Sequence, residues 1–304
     1  MTGSPSAPNQ PPAPEQPTVA GWRRWLRPGR LLLLALVLFF LWIVSVWPPP
    51  IYYRWFWPHQ TAFMSLRARQ ADSLGRHAQR RREAVDGRIP RRYTPVSMGD
   101  ITPTLARAVL VAEDHRFLEH GGIDYQELRV ALGYRRDAFA WGDPADRREL
   151  WRVVGRLWSR RNQIRGASTI TEQLAKNLYL SPSRNPLRKV KEAVTAYRLE
   201  WALGKGRILE LYLNVVEFGP EVWGAEAAAQ TYFGRSAARL SADQAAALAG
   251  TLPFPLSSNP GFRPARMRWR QQLILRRMRG EPIQIPSDAE AIAAKETPAD
   301  SATR

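Results

Sequence analysis

Four stretches of this chain gather side chains that can handle protons and anions. Glu113 opens the first, Glu113-Asp114-His115-Arg116-Phe117-Leu118-Glu119-His120, directly after an apolar run through Leu105, Val109 and Ala112. Where an apolar helix ends, a carboxylate can be partly desolvated, which raises its pKa and makes it a better base. A lone glutamate at a helix end is more often a solvated or capping residue, so Glu113 alone decides little. The second and third stretches, Gly166–Asn177 and Arg188–Glu192, place Ser168, Gln173, Lys176, Arg184, Arg188 and Lys191 over a short span. Cations beside a hydroxyl and an amide suit a diphosphate. Were the helix to include both, Lys176 would lie two turns from Ser168 on one face. Arg188 and Glu192, at i and i+4, share a face too. For any single pair, a salt-bridged surface helix is the commoner explanation. The fourth stretch is Arg207-Ile208-Leu209-Glu210-Leu211-Tyr212-Leu213-Asn214.

His115 and His120 are five apart, a poor spacing for one metal on a helix, and His120 is expected to support the loop after Glu113. Asp114 reads as a structural partner rather than an acid. No metal-ligand cluster is readable. The chain has no cysteine, which excludes disulfides, thiol catalysis and Cys-ligated metals.

The elements that must position these residues read as mostly α. Pro103 opens a helix that ends near Glu113. A second starts at Thr169, with Ile170, Leu174 and Leu178 on one stripe. Asn185-Pro186 caps a third, which stops at Gly204. Shorter helices follow over Arg207–Asn214, Gly224–Phe233 and Ser241–Leu252, where Ser241 and Gln244 form a capping box. A last helix runs over Pro264–Arg279. No alternating strand pattern stands out, and there is no internal repeat.

Composition sets the outer bounds. The 304 residues carry 45 Lys+Arg against 27 Asp+Glu, a net charge of +18 that suits an anionic partner. Hydrophobic residues make up 44%, so the chain is not disordered as a whole. Tryptophans and arginines abound, but no nucleic-acid module is present. Residues 1–22 read as a disordered cytoplasmic tail. Arg23, Arg24, Arg27 and Arg30 then precede an apolar run from Leu31 to Trp47, broken only by Ser45. With its near-apolar flank this run can cross a hydrocarbon core of about 30 Å. The arginines belong on the cytoplasmic side. Tyr52, Tyr53, Trp55 and Trp57 resemble an interfacial aromatic belt. A cleaved signal peptide fits less well, because the run is long and no small-x-small site follows. Residues 23–53 therefore read as a transmembrane anchor with flanks, 54–92 as a connecting segment, 93–280 as the catalytic domain and 281–304 as a disordered tail.

The four stretches resemble glycosyltransferase family 51, the peptidoglycan polymerases, and within it the monofunctional biosynthetic branch. Glu113, Asp114, Phe117, His120, Gly122 and Asp124 match its first motif. Gly166, Ser168, Thr169, Ile170, Thr171, Gln173, Lys176 and Asn177 match the second. Arg188, Lys189 and Glu192 match the third, and Ile208, Leu209, Glu210, Tyr212, Leu213 and Asn214 the fourth. A later piece, Trp223–Ala228 with Tyr232-Phe233-Gly234, matches as well.

The resemblance implies a lysozyme-like, mostly α glycosyltransferase domain behind one N-terminal transmembrane helix. It implies lipid II as acceptor and a growing lipid-linked glycan chain as donor. Glu113 is then the general base toward the acceptor sugar's 4-hydroxyl, with inversion at the donor's anomeric carbon and loss of undecaprenyl diphosphate. Glu192 is the second catalytic carboxylate, near the diphosphate. Ser168, Gln173, Lys176, Arg184, Arg188 and Lys191 bind substrate, because fixed cations help most where charge develops on a leaving diphosphate. A divalent cation such as Mg2+ can share that work. The expected setting is the bacterial inner membrane, with the domain in the periplasm among other cell-wall synthesis proteins.

Three features depart from the pattern. Glu172 stands where the family has the first of two glutamines. It either brings a carboxylate toward the donor phosphates, needing a cation to offset it, or forms a capping box with Thr169; the capping box is favoured. Ala167 replaces a glycine. The segment Tyr125–Arg165 is longer than the family's usual spacing. In it, Asp143-Pro144 should cap a helix whose Leu150, Trp151, Val154, Leu157 and Trp158 form one apolar stripe among Arg148, Arg152, Arg156 and Arg160. Such a stripe either docks on a bilayer or packs on the domain.

Two other functions compete. A cell-wall scaffold with little activity would not need both Glu113 and Glu192. A lytic enzyme would not need the segments suited to a diphosphate. A transpeptidase is excluded, since neither Ser-x-x-Lys nor Lys-Thr-Gly occurs.

Overall fold

The computed structural model describes residues 28–79, 92–131, 133–134, 140, 142–160, 168–180 and 186–283. Contacts divide the chain into two units, residues 1–45 and 46–304. In the first, helix α1 spans Pro28–Val44, 17 residues of which only Arg30 is charged. At 1.5 Å per residue it is about 25 Å long. Among the described residues no helix is long and apolar enough to cross a membrane. Helix α1 covers most of the apolar run in which the anchor was expected.

The second unit carries the chemistry. Helix α2 (Ala62–Gln79) lies within the segment read as a connection. Strand β1 (Arg92–Tyr93) follows, then α3 (Pro103–Glu113), α4 (Tyr125–Ala131), α5 (Pro144–Arg160) and α6 (Ile170–Tyr179). Next come α7 (Pro186–Leu203), α8 (Lys205–Val215), β2 (Glu217–Gly219), β3 (Val222–Trp223), α9 (Ala225–Phe233), α10 (Ala242–Thr251) and α11 (Ala265–Met278). The three strands form a small sheet in the order β1-β3-β2, with β1 parallel and β2 antiparallel to β3. This sheet was not expected, because strands of two or three residues are too short to show a period of two.

Local chemistry explains the helix starts. Thr102 caps α3 through Thr104 N–H, with Pro103 at the first helical position. Thr169 and Glu172 form the capping box of α6, and Ser241 and Gln244 that of α10. Asp143 Oδ1 accepts from Ala145 N at 2.7 Å and starts α5 at the expected place.

Burial follows the apolar stripes. Leu105 and Val109 of α3, Ile170 and Leu174 of α6, Leu199 of α7, Ile208 and Leu211 of α8, and Trp223 are fully buried together. At about 25 cal/mol per Å2 of apolar surface, each large side chain contributes about 2 kcal/mol. Helix α10 packs on α3 and on α11. The approach to α11 requires a small residue: a Cβ on Gly250 would lie 3.0 Å from the Met267 carbonyl oxygen. That close packing sets α11 beside the end of α3.

Candidate active site

Glu113 is the last residue of α3, and its side chain is 12% exposed. Two groups hold it. Gln173 Nε2, from α6, donates to Glu113 Oε2 at 3.1 Å. Arg270, from α11, donates to Glu113 Oε1 and to the Ala112 carbonyl, each at 3.1 Å. The second end of the Gln173 amide is used as well: Tyr212 OH donates to Gln173 Oε1 at 2.9 Å. Tyr212, Gln173, Glu113 and Arg270 thus form one chain of partners drawn from four helices. Arg270 was missed in the sequence. Its one signal there is a place on the buried stripe Met267, Arg270, Ile274, where a charge needs a partner.

The loop after Glu113 is fastened rather than catalytic. Asp114 accepts from His120 Nε2 at 3.0 Å and from Ile170 N at 2.9 Å, which ties the loop to the start of α6. Gly122, at φ +85°, gives its carbonyl to Thr169 Oγ1, and its N–H donates to Glu200 Oε1 on α7. A Cβ at Gly122 would lie 3.3 Å from the backbone of Ala196 and Tyr197. Only glycine suits both that φ and that distance. One residue therefore joins the loop, α6 and α7.

Glu192, on α7, is buried among cations. Arg188 binds its Oε2 and Lys189 Nζ its Oε1 at 2.6 Å. The i,i+4 pair expected from spacing is formed. Lys189 also reaches Glu172 Oε1 and Ser168 Oγ, each at 3.0 Å. Glu172 forms the favoured capping box, Oε2 accepting from Thr169 N at 3.0 Å, while Oε1 pairs with Lys189. Ser168, however, precedes the cap of α6, so the helical-face argument linking it to Lys176 does not apply. Ser168 enters the cluster through Lys189.

Lys176 makes no hydrogen bond or ion pair among the described residues. Burial holds its ammonium below the usual lysine range, partly offset by Glu192, with Lys189, Arg188 and Glu113 as its other charged neighbours. It is thus the lysine that senses both carboxylates. Lys191 stands apart: burial and the nearby Arg198 lower its ammonium. Arg184 lies outside the described residues.

The fourth motif is structural. Asn214 pairs through its amide with both the N–H and the carbonyl of Val96, and Glu210 Oε1 accepts from Met98 N at 2.7 Å. These bonds fix the strand that leads into α3. Arg207 donates to the carbonyls of Tyr53 and Phe56 and covers the Trp57 ring.

In the long segment before α6, Asp146 and Val153 of α5 are buried while Trp151 is 71% exposed. Asp146 accepts from Tyr134 OH and from Ala140 N. Of the expected apolar stripe, Trp151 is therefore not packed on the domain. The side chains of Val154, Leu157 and Trp158 lie outside those described.

No group of three or more His, Asp and Glu able to hold a metal occurs among the described residues. The pair Glu172 and Glu192 already encloses the Lys189 ammonium, so these two carboxylates do not fit a divalent ion, and no step is assigned to one.

The sequence is similar to known proteins. A family model described as Transglycosylase matches residues 82–139 and 137–279. The two matches meet inside the long Tyr125–Arg165 segment. Three curated proteins named biosynthetic peptidoglycan transglycosylase are similar to the chain. That of Bordetella avium (strain 197N) is 38% identical over 258 residues, 84% of this chain and 95% of its own length. That of Azoarcus sp. (strain BH72) is 40% identical over 241 residues, 79% and 89% of the two chains. That of Laribacter hongkongensis (strain HLHK9) is 38% identical over 234 residues, 76% and 86%.

Proposed function

The chain belongs to the transglycosylase family of peptidoglycan synthesis, and from that premise we propose how its two carboxylates divide the reaction. It is a peptidoglycan glycosyltransferase that polymerises lipid II into glycan strands. Glu113 acts as the general base. It takes the proton from the acceptor sugar's 4-hydroxyl as that oxygen attacks the donor's anomeric carbon, and undecaprenyl diphosphate leaves with inversion. A base must start as the carboxylate, and the Arg270 guanidinium offsets that charge where little water reaches it. Gln173 orients the carboxylate, its amide bridging Glu113 and Tyr212. Glu192 stands on the donor side, fixing Arg188 and Lys189 beside Lys176. Lys176, with Arg184, meets the diphosphate, where charge accumulates as the bond breaks.

The observation that carries this reading is the contrast at Lys176: a half-buried ammonium with no hydrogen-bonding partner among the described residues, next to a carboxylate–cation cluster. A lytic reading lacks any use for such a cluster. The test is purified full-length protein with lipid II and product resolved on a gel. Long strands support polymerisation, short fragments released from existing peptidoglycan support lysis, and no product supports a scaffold.

The same proposal places the protein in the bacterial inner membrane with the domain in the periplasm. Helix α1, of 17 residues, is at the lower end of spanning length, and the apolar run extends beyond it to Trp47. Arg23, Arg24 and Arg27 precede it. The exposed Trp151 on α5 suits a bilayer surface, with Arg147 and Arg148 exposed on the same helix. Recovery of mature protein beginning after Trp47 would refute the anchor. Other cell-wall synthesis proteins are the partners to seek in the periplasm.

A further inference from the structure

Glu172 has two oxygens and two different tasks. Oε2 accepts the Thr169 N–H at 3.0 Å, closing the capping box, and Oε1 meets Lys189 Nζ at 3.0 Å. Lys189 has three N–H donors, and the structure gives it three acceptors: Glu172 Oε1, Ser168 Oγ at 3.0 Å and Glu192 Oε1 at 2.6 Å. Every proton of this ammonium is engaged within the protein, although its side chain is half exposed. Burial pulls the Lys189 ammonium down, and Glu192 with Glu172 more than reverses this, leaving it raised. Lys176, by contrast, has no such partner among the described residues.

We propose that Glu172 is a positioning residue: it locks Lys189 onto Glu192 and Ser168, and leaves Lys176 as the lysine that meets the donor diphosphate. The proposal rests on the donor-side reading above. A glutamine at 172 could not do the same. Its single carbonyl oxygen would serve the cap, and its NH2 would face the ammonium with no lone pair to offer. Glu172→Gln therefore keeps the capping box and removes one leg of the lock, freeing Lys189 to reach an anion.

The experiment uses the full chain and lipid II, with Glu172→Gln, Lys189→Met and the double variant. Glu172→Gln should lower KM about three- to tenfold with kcat within about twofold, the size of one partly screened charge-assisted contact. In the double variant that gain should vanish, because Lys189 supplies it. A KM unchanged by Glu172→Gln, or a gain that survives Lys189→Met, would overturn the lock; the second result would mean that removing a negative charge is enough. Labelling gives an independent reading that does not depend on folding of the Lys189 variants. The Lys189 amine, followed by peptide mass spectrometry, should react several-fold faster with an acylating reagent in Glu172→Gln than in the parent. Equal rates would overturn the lock whatever the kinetics. Lys176→Ala in the same series separates the two readings: an unchanged KM there would sink the donor-site assignment and leave the labelling result standing.

Discussion

Glu113 and Glu192 are both carboxylates at the ends of short polar chains, yet their surroundings differ in kind. Glu113 is met by the Arg270 guanidinium and the Gln173 amide, brought from α11 and α6 across long sequence separations. Glu192 has two cations from its own helix, three and four residues away. A carboxylate bound by two neighbouring cations is held in one place and has little freedom to take a proton. One met by an amide and a guanidinium from two other helices is placed by the packing of those helices instead. The contrast supports the proposal that Glu113 is the base and that Glu192 organises charge.

The largest expected effect comes from erasing the first carboxylate. Glu113→Gln should reduce polymerisation by about 10²–10⁴-fold, the usual contribution of a general base, with the fold retained. Arg270→Met comes next. Removing one partner of a nearly buried pair costs on the order of 3 kcal/mol in stability, so a thermal melt should fall by several degrees and turnover should fall with it. An unchanged melting curve would show that Glu113 does not depend on Arg270, and would break the comparison on its first side.

Lys176→Ala sharpens the second side. It should raise KM for lipid II while moving the thermal melt little. The pH dependence has a defined sign. Burial places this ammonium below the usual lysine range, so donor binding should weaken on the alkaline side before an ordinary lysine, near 10.4, would lose its proton. A KM flat across that range would contradict the role given to Lys176.

The smallest effect is a background to remove. Burial pushes the Glu217 carboxyl up to about 6 despite the neighbouring Arg67. Its folded pKa exceeds the unfolded one, so it stabilises fully below about 4.3 and that contribution is lost as pH rises through about 6, at most about 2 kcal/mol. Glu217→Gln should flatten stability between pH 4.5 and 6, measured by denaturant melts, and leave the activity profile of the two catalytic carboxylates in place. A slope that persists would assign it to another group.

What could be read beforehand was local. Proline and threonine caps fixed the starts of α3 and α6, the spacing of Arg188 and Glu192 announced their pair, and Asp143-Pro144 announced α5. What could not be read depends on packing. Arg270 reaches Glu113 because Gly250 lets α11 approach α10, and no spacing encodes that. That Tyr212, 39 residues on, holds the oxygen of the Gln173 amide could not be read either. Ser168 looked helical because its neighbours are, but Thr169 is the cap. The apolar stripe of α5 left bilayer and domain open, and the fold turns Asp146 and Val153 inward while Trp151 stays exposed.

The most direct test of the division of labour sets binding against chemistry in Glu113→Gln and Glu192→Gln. Equilibrium binding of lipid II and single-turnover transfer would be measured for both full-length variants. The account predicts that Glu113→Gln binds lipid II close to normally and fails to form the glycosidic bond, whereas Glu192→Gln loses affinity as well as rate. Near-normal bond formation by Glu113→Gln would contradict it.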